Sequence, residues 1–594
     1  VNIRRRGLRV PAVQKLWKLA PHDPSASARL AQAIRTSPVV AQLLLNRGIA
    51  DPAAARLFLD APLSALHPPA TLPGIPAAVE RIGAAVAAGQ RVCVYGDYDV
   101  DGTTGTAILL GVLKLIGATA EYYIPNRMDE GYGLNVEAIR SLASAGVGLI
   151  VTVDCGAASV AEADEARRLG LSLVVTDHHE LADRLPPADA VVHPRLPGGI
   201  YPHPGLSGAG VALKLAWALA QRACGGEKVT PRYREFLLDA VGLAALGTVA
   251  DVVPLRDENR AIVRHGLERL ARKPSVGVRA LIEAAKLSPD RLKAEDIGYR
   301  LAPRLNAAGR LECARLVVEL LTTGSPVRAK EVAEYLEDLN TQRQTIERKT
   351  TAHAKDLAEA GGFDKQPAIV LGSPDWHPGV IGIVASRLVD HYGRPVLLVA
   401  EKEGDLASTG SGRSVAGFAL HEALRACAAE LLAHGGHAAA AGFKVLPSRL
   451  ADLRERFVAY AGSAFVAGPP SPVLTLEAEV PLSALTFGLL GDLDKLEPYG
   501  ADNPRPRFLA TGLTVDGLPR RIGGGERHLT FRVRQGGTVV RAVAFGMGDR
   551  LEELMSAGGS CSVVFTPKLN EWNGSRSVEM EVTDFRPEPT PELG

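Results

Sequence analysis

Residues Tyr95 to Thr106 read YGDYDVDGTTGT, and the fold of the first domain turns on this run. An apolar segment, Val92 to Val94, leads into it, and a helix-compatible run from Thr106 to Leu115 leaves it. That is the pattern of a buried strand ending in an acidic loop, with a helix behind it. Asp97, Asp99 and Asp101 stand at alternating positions, and carboxylates so close repel one another unless solvent or a cation offsets them. Oxygen-rich sites suit hard divalent ions. On this stretch alone a solvated Asp/Gly turn competes, since both residues favour turns.

Working outward, the strand–helix rhythm repeats from about 75 to 195. Strand candidates are Ala120–Ile124, Val147–Val153, Leu171–Thr176 and Ala190–Val192, between helix candidates Ala77–Ala88, Val136–Ala143 and Ser159–Leu169. Strands apolar on both faces belong in a parallel sheet covered by helices. Polar clusters fall where strands end: Asp154 follows VGLIVTV, and Asp177, His178 and His179 follow LSLVVT. Open α/β sheets take ligands outside the carboxyl ends of their strands. Asp97, Asp99, Asp101, Asp154 and His178 are therefore expected to converge, with Asp251 joining from the exit of an apolar helix at Phe236–Thr248.

The 594 residues predict roughly three to five domains. Short helices with Pro turns read as an N-terminal cap over 1–72, and the α/β catalytic domain as 73–324. A long helix over 325–362 bridges to a second, smaller α/β domain over 363–468. Pro469-Pro470-Ser471-Pro472 reads as a linker, 474–586 as a small β-barrel of OB type and 587–594 as a loose tail. Within the first lobe, LAPRLNAAGR (Leu301–Arg310) reads as a polar, basic loop, and the Gly-rich stretches Ser408–Gly417 and Gly435–Gly442 read as loops of the second.

The 67 basic and 66 acidic residues nearly cancel, which argues against a binder that works by bulk charge alone. Six scattered cysteines with no CxxC pair argue against a zinc knuckle and read as free thiols in a reducing cytosol. No signal peptide and no membrane span are expected.

Two divalent ions a few ångströms apart need terminal ligands and a bridging carboxylate, and such a pair suits phosphoryl transfer. Asp154 is the bridging candidate, Asp97 and Asp99 complete one site, and Asp101, His178 and Asp251 complete the other. Mixed Asp/His ligation suits Mn²⁺ and tolerates Mg²⁺. His179 points away from its neighbour and is free to contact phosphate. Arg304 and Arg310 can grip phosphate oxygens, with Asn306 on sugar, phosphate or backbone. In the second lobe, Gly435 and Gly436 can bring backbone amides close to an anion, and Arg413 and His437 add polar donors. Trp376 is a candidate base platform or a core residue, and Arg387 a phosphate contact or a solvated helix residue. In the last domain Arg505, Arg507, Arg520, Arg521, Arg527 and Arg532 accompany Phe508, Phe531, Phe545 and Trp572.

These motifs resemble the DHH phosphoesterase superfamily, and within it the bacterial single-strand-specific exonucleases. The resemblance rests on Asp97-Tyr98-Asp99-Val100-Asp101-Gly102, Asp154 in VTVDCG, Asp177-His178-His179 and Asp251 in GTVADVVPL. It implies Asp97, Asp99, Asp101, Asp154, His178 and Asp251 as metal ligands and Asp154, His179, Arg304 and Asn306 as catalytic residues. Tyr95 stands where many superfamily members have histidine, and Asp97 is expected to substitute as ligand. The segments around Trp376, Ser411-Gly412-Arg413 and Gly435-Gly436-His437 resemble the DHH-associated substrate-binding domain. Implied with them are Arg310, Trp376, Arg387, Ser411, Arg413, Gly435, Gly436 and His437 as substrate contacts. The implied activity is 5′→3′ hydrolysis of single-stranded DNA to 5′-mononucleotides in repair and recombination, by a cytoplasmic monomer. The expected partners are a single-strand-binding protein and a repair helicase. A small-substrate DHH hydrolase and an inactive nucleic-acid scaffold are the rivals. The OB-like domain speaks against the first, and the complete Asp/His set against the second.

Overall fold

Val92, Cys93, Val94 and Tyr95 are all fully buried, which a strand achieves only at the centre of a covered sheet. The computed structural model of the chain describes residues 15–588, other than 128–129, 312, 405, 466–467, 469–471, 557–559 and 573. Most of the expected linker at Pro469–Pro472 and most of the expected tail lie outside the described residues.

The buried run forms strand β1 (Arg91–Gly96), followed by helix α1 (Val100–Leu115) and strand β2 (Ala120–Tyr123). Strands β3 (Val147–Val153), β4 (Ser172–Thr176) and β5 (Ala190–Val192) complete a sheet of order β2-β1-β3-β4-β5 with every pairing parallel. The chain reverses its direction of winding between β1 and β3, so a crevice opens at their carboxyl ends. The expected acidic loop is shorter than its sequence suggests. Asp99 caps α1, its Oδ1 accepting from Gly102 N–H at 3.0 Å, and Asp101 sits inside the first helical turn.

Helices α2 (Gly208–Cys224), α3 (Pro231–Ala250) and α4 (Asp257–Arg272) pack behind the sheet. The LAPRLNAAGR stretch corrects the expected loop: it is helix α5 (Ala302–Arg310), entered through a π-helical turn at Ile297–Leu301. Pro303 lies in the first turn of α5, directly after the π-helical turn, and Leu305, Ala307 and Ala308 are buried. The expected bridging helix is α6 (Pro326–Ala360), whose 35 residues span about 52 Å.

Beyond it lie β6 (Ile369–Ser373), α7 (Pro378–Tyr392), β7 (Val396–Ala400), β8 (Ser408–Arg413), β9 (Ala433–Gly436) and β10 (Ala440–Val445). Their sheet has order β9-β10-β8-β7-β6 and mixes parallel with antiparallel pairs. The Gly-rich stretches expected as loops thus contribute antiparallel strands, because ladder bonds to β7 and β10 replace the side-chain packing that glycine lacks.

The C-terminal sheet contains β11 (Phe508–Val515), β12 (Arg520–Ile522), β13 (His528–Gln535), β14 (Thr538–Ala544), β15 (Ser560–Trp572) and β16 (Ser575–Pro587). Its order is β11-β15-β16-β14-β13-β12, with a further β11–β13 pairing. The N-terminal helices share a hydrophobic core with this sheet, Val40 and Leu44 lying among Phe508, Phe531 and Phe565.

A buried ion pair ties the N-terminal segment to the catalytic domain. Lys214 in α2 pairs with Glu258 in α4, and its Nζ donates to His67 O at 2.5 Å. Burial pulls the Lys214 ammonium down, and the Glu258 carboxylate beside it opposes that. Lys214→Met should destabilise the protein by about 3–5 kcal/mol, because Glu258 would stay buried without its cation. Thermal and urea unfolding followed by circular dichroism check this; wild-type stability in the variant would remove the pair from the account.

Candidate metal centre and anion grip

Each acidic side chain is placed by a different backbone device. Asp97 leaves β1, its N–H donating to Val153 O at 3.1 Å, so the ends of β1 and β3 stay in register. Asp154 leaves β3 in the left-handed region, with φ 63°, a conformation that Asp tolerates better than most residues. Asp101 accepts from the amides of Gly208 at 2.5 Å and Ala209 at 3.0 Å, the first residues of α2. Asp251 is the residue at which α3 ends.

Two glycines make room for this packing. A methyl group on Gly208 would lie 2.5 Å from Asp154 Oδ1, and one on Gly247 would lie 2.3 Å from Asp101 Oδ1. Neither glycine was legible as part of a site, because the groups they admit come from distant segments.

The candidate ligands meet. Asp97, Asp99 and Asp154 offer oxygens within 4.8 Å of one another, and Asp101, His178 and Asp251 form a second such group. His178 Nε2 lies 3.0 Å from Asp154 Oδ1, 3.5 Å from Asp251 Oδ2 and 3.7 Å from Asp101 Oδ2. Burial, then the neighbouring carboxylates Asp99 and Asp101, drive the carboxyl groups upward. Asp101 reaches about 7 under burial and Asp99, and Asp251 about 8 under burial, Asp101 and Asp99. Asp97 and Asp154 are pushed well above the usual carboxylate range, first by burial. Burial, with His179 next to it, pulls His178 down to about 3, which keeps its imidazole neutral.

The residues fit divalent cations on an independent observation. Asp97 Oδ1, Asp154 Oδ1 and His178 Nε2 are buried and have no hydrogen-bond partner among the described residues. A set of carboxylate oxygens with one neutral imidazole suits Mn²⁺ or Mg²⁺.

His179 differs from His178 in its hydrogen-bond partners, while their rings lie 4.5 Å apart and both join Asp154 in a third group that could hold a cation. His179 Nδ1 lies 2.9 Å from Asp177 Oδ1 and 3.0 Å from the Tyr132 hydroxyl, which donates to Asp154 O at 3.1 Å. Burial works against its protonation, yet Asp177 outweighs it and holds His179 up at about 9. Asp177 in turn resists its own burial: the His179 side chain and the Ala157 and His179 amides hold it at about 2. Asp177 therefore orients the histidines, and Tyr132 escaped the sequence reading because its loop carries no periodic signal.

An arginine group drawn from both lobes supplies the opposite charge. Arg310 is half-buried on α5 and donates to Gly379 O at 2.8 Å. Burial, then Arg127, Arg343 and Arg413, pull its guanidinium down to about 10. Arg413 donates to Ser411 Oγ at 3.2 Å and is also lowered by burial and by Arg127. Clustered guanidinium groups of this kind make an anion site. Arg127 was missed by the sequence reading; its only signal was its place just after a strand end. His437 Nδ1 comes within 4.0 Å of Glu180 Oε1, which brings the Gly435–Gly436 strand to the rim of the metal cluster.

Other candidates stand elsewhere. Trp376 corrects the base-stacking expectation: it is 4 % exposed, packs in the core of the second lobe and donates to His353 Nδ1 at 3.2 Å. The guanidinium of Arg304 pairs with Glu337 on α6. Asn306 is half-buried and shares a helical face with Arg310, four residues on. Arg387 pairs with Glu347, whose carboxylate also takes Arg343. In the last domain Phe508 and Phe531 are core, Phe545 is exposed, and the side chain of Trp572 lies outside the described residues.

Comparison with known proteins bears on this arrangement. Residues 91–247 match the DHH family, N-terminal domain, 365–463 match the DHHA1 domain, and 476–584 match the RecJ OB domain. The single-stranded-DNA-specific exonuclease RecJ of Bacillus subtilis is 37 % identical over 568 residues, covering 96 % of this chain and 70 % of the relative. The chain belongs to the RecJ family. Two solved RecJ structures from Thermus thermophilus, in complex with Mn²⁺ and with Mg²⁺, superpose on the fold of this RecJ-family chain with TM-scores of 0.82 and 0.75. They are 35 % and 34 % identical, each covering 97 % of this chain, which spans 80 % and 79 % of them.

Gly208→Ala should displace Asp154 by a large fraction of an ångström and lower turnover at least a hundredfold, since misplacements of about 1 Å have effects of that size. Steady-state rates at saturating strand and Mn²⁺ check this, and a rate within fivefold of wild type would show that Asp154 can yield.

Proposed function

We propose that the chain is a metal-dependent exonuclease that hydrolyses single-stranded DNA from its 5′ end to 5′-mononucleotides. One observation carries this reading: the Asp/His clusters at the carboxyl ends of β1, β3 and β4 face an arginine group built from both lobes. The RecJ relatives are single-stranded-DNA-specific exonucleases, and solved members hold Mn²⁺ or Mg²⁺. Asp97, Asp99 and Asp154 would hold one cation, and Asp101, His178 and Asp251 the other, with Asp154 between them. When bound there, two such cations lower the pKa of a water molecule and stabilise the attacking and leaving oxygens of an in-line displacement.

The rest of the work falls to side chains. His179, held by Asp177 and Tyr132, donates to a phosphate oxygen as negative charge grows there. Arg310 and Arg413, with Ser411 and Arg127, hold a second phosphate and so fix which bond meets the metals. Asn306 shares the face of Arg310 and steadies the same stretch of backbone. Gly435, Gly436 and His437 close the rim.

A groove of about 840 Å³ runs from Ala250 and Val252 past the exposed ring of Tyr299 to Arg507 and Lys568 on the C-terminal sheet, with Glu295, Asp296 and Glu581 also in its walls. Its aromatic ring and basic groups suit a single strand. The β11–β13 pairing supports a barrel of OB type there. The domain limits of the sequence reading accompany this proposal, as do a monomeric, cytoplasmic enzyme of repair and recombination and partners in a single-strand-binding protein and a helicase. Among the described residues no helix is long and apolar enough to cross a membrane.

Asp154→Ala should abolish turnover, by at least 10³-fold on the scale of lost electrostatic stabilisation, while strand affinity changes little. Digestion of strands labelled at either end, with added Mn²⁺, alongside filter binding, tests this together with polarity. Binding without release of mononucleotides by the wild type would leave a scaffold instead. Truncation after Pro470 should weaken binding of long strands more than hydrolysis of very short ones. Equal losses on both substrates would reduce the C-terminal domain to a folding role.

A further inference from the structure

The first turn of α4 carries four polar residues in succession, Asp257, Glu258, Asn259 and Arg260, and the last three are at most 1 % exposed. Buried polar groups are unfavourable unless they find partners, and here the Glu258 carboxylate, the Asn259 NH2 group and the Arg260 guanidinium each reach a different segment. Glu258 receives Lys214, Tyr201 and the His67 amide. Arg260 donates to the carbonyls of Phe58 in the N-terminal helices and of Leu496, Glu497 and Pro498 ahead of the C-terminal sheet. Asn259 donates through its one amide group to Gly205 O at 2.5 Å and Pro254 O at 3.0 Å.

The two carbonyls that Asn259 joins belong to the two loops that build the second cluster. Gly205 lies three residues before Gly208, whose amide, with that of Ala209, grips Asp101. Pro254 lies three residues after Asp251. Asp101 and Asp251 are two of the three ligand-type groups of that cluster; Asp251 lies on the Pro254 segment, and Asp101 is held from the Gly205 segment through the Gly208 and Ala209 amides. Removing the amide would leave two carbonyls to find new partners, and the loops would separate to reach them.

We propose that Asn259 is a positioning residue of the metal centre: its amide sets the separation of Asp101 and Asp251, and with it the affinity of their cluster for a divalent cation. This rests on the reading of that cluster as a cation site. Groups that orient ligands from behind typically change metal affinity by about 10–100-fold when removed. Arg260 serves as the internal control. It is equally buried and adjacent, but its bonds run to the N-terminal and C-terminal domains and not to either ligand loop.

Mn²⁺ binding to the full chain is measured by titration calorimetry and by the rise of melting temperature with Mn²⁺. Asn259→Ala should weaken binding about tenfold and reduce the Mn²⁺-dependent rise, whereas Arg260→Lys should lower the metal-free melting temperature and leave Mn²⁺ affinity within twofold. Should Asn259→Ala melt below the titration temperature, Asn259→Ser, which keeps one donor, is titrated where both it and the wild type are folded, with a several-fold loss expected. Wild-type affinity in the Asn259 variant, or equal losses in the Asn259 and Arg260 variants, would overturn the proposal. Absence of Mn²⁺ binding by the wild type would instead overturn the cation site itself.

Discussion

Like charges brought together out of water are the constraint on which this structure depends. Five aspartates and a histidine meet at the crevice between β1 and β3, and four of the aspartates are driven upward by burial and by one another. The fold offsets part of that repulsion with backbone dipoles. Asp99 and Asp101 stand at the start of α1, and the first amides of α2 close on Asp101. What the amides leave without a hydrogen-bond partner among the described residues, above all Asp97 Oδ1, Asp154 Oδ1 and His178 Nε2, are atoms of the candidate cation site.

The arginine group built from both lobes poses the same problem with the sign reversed. Arg310 is half-buried near Arg127, Arg343 and Arg413, and its only direct side-chain hydrogen bond among the described residues is to a carbonyl, that of Gly379. A strand of phosphates between a cation-holding edge and a guanidinium cluster answers both. Arg343 and Glu347 are buried on α6, and Arg304 and Arg387 are tied to that helix by their own ion pairs. Two arginines that looked like phosphate grips in the sequence thus have carboxylate partners on the bridging helix.

Much of the catalytic domain was legible because its signals are local. Apolar runs of strand length fall within a residue or two of β1, β3, β4 and β5, and each acidic or histidine cluster sits at the run's end. The LAPRLNAAGR stretch was misread as a loop because Pro, Asn and Gly suggest turns, whereas burial of Leu305, Ala307 and Ala308 makes a helix of it. Trp376 was open between base platform and core, and the apolar floor of the second lobe decided for core.

From the amino-acid order alone came the parallel α/β architecture, the bridging helix and the identity of the six candidate ligands, because periodicity and strand-end placement are properties of short segments. The three-dimensional packing decided what those ligands share. It chose which glycines must lack a side chain, which arginines gather together and which pair with a carboxylate, and which amides hold Asp101. Those outcomes depend on contacts between segments separated along the chain, by 107 residues for Asp101 and Gly208, and no local pattern encodes a contact whose other half is folded from elsewhere.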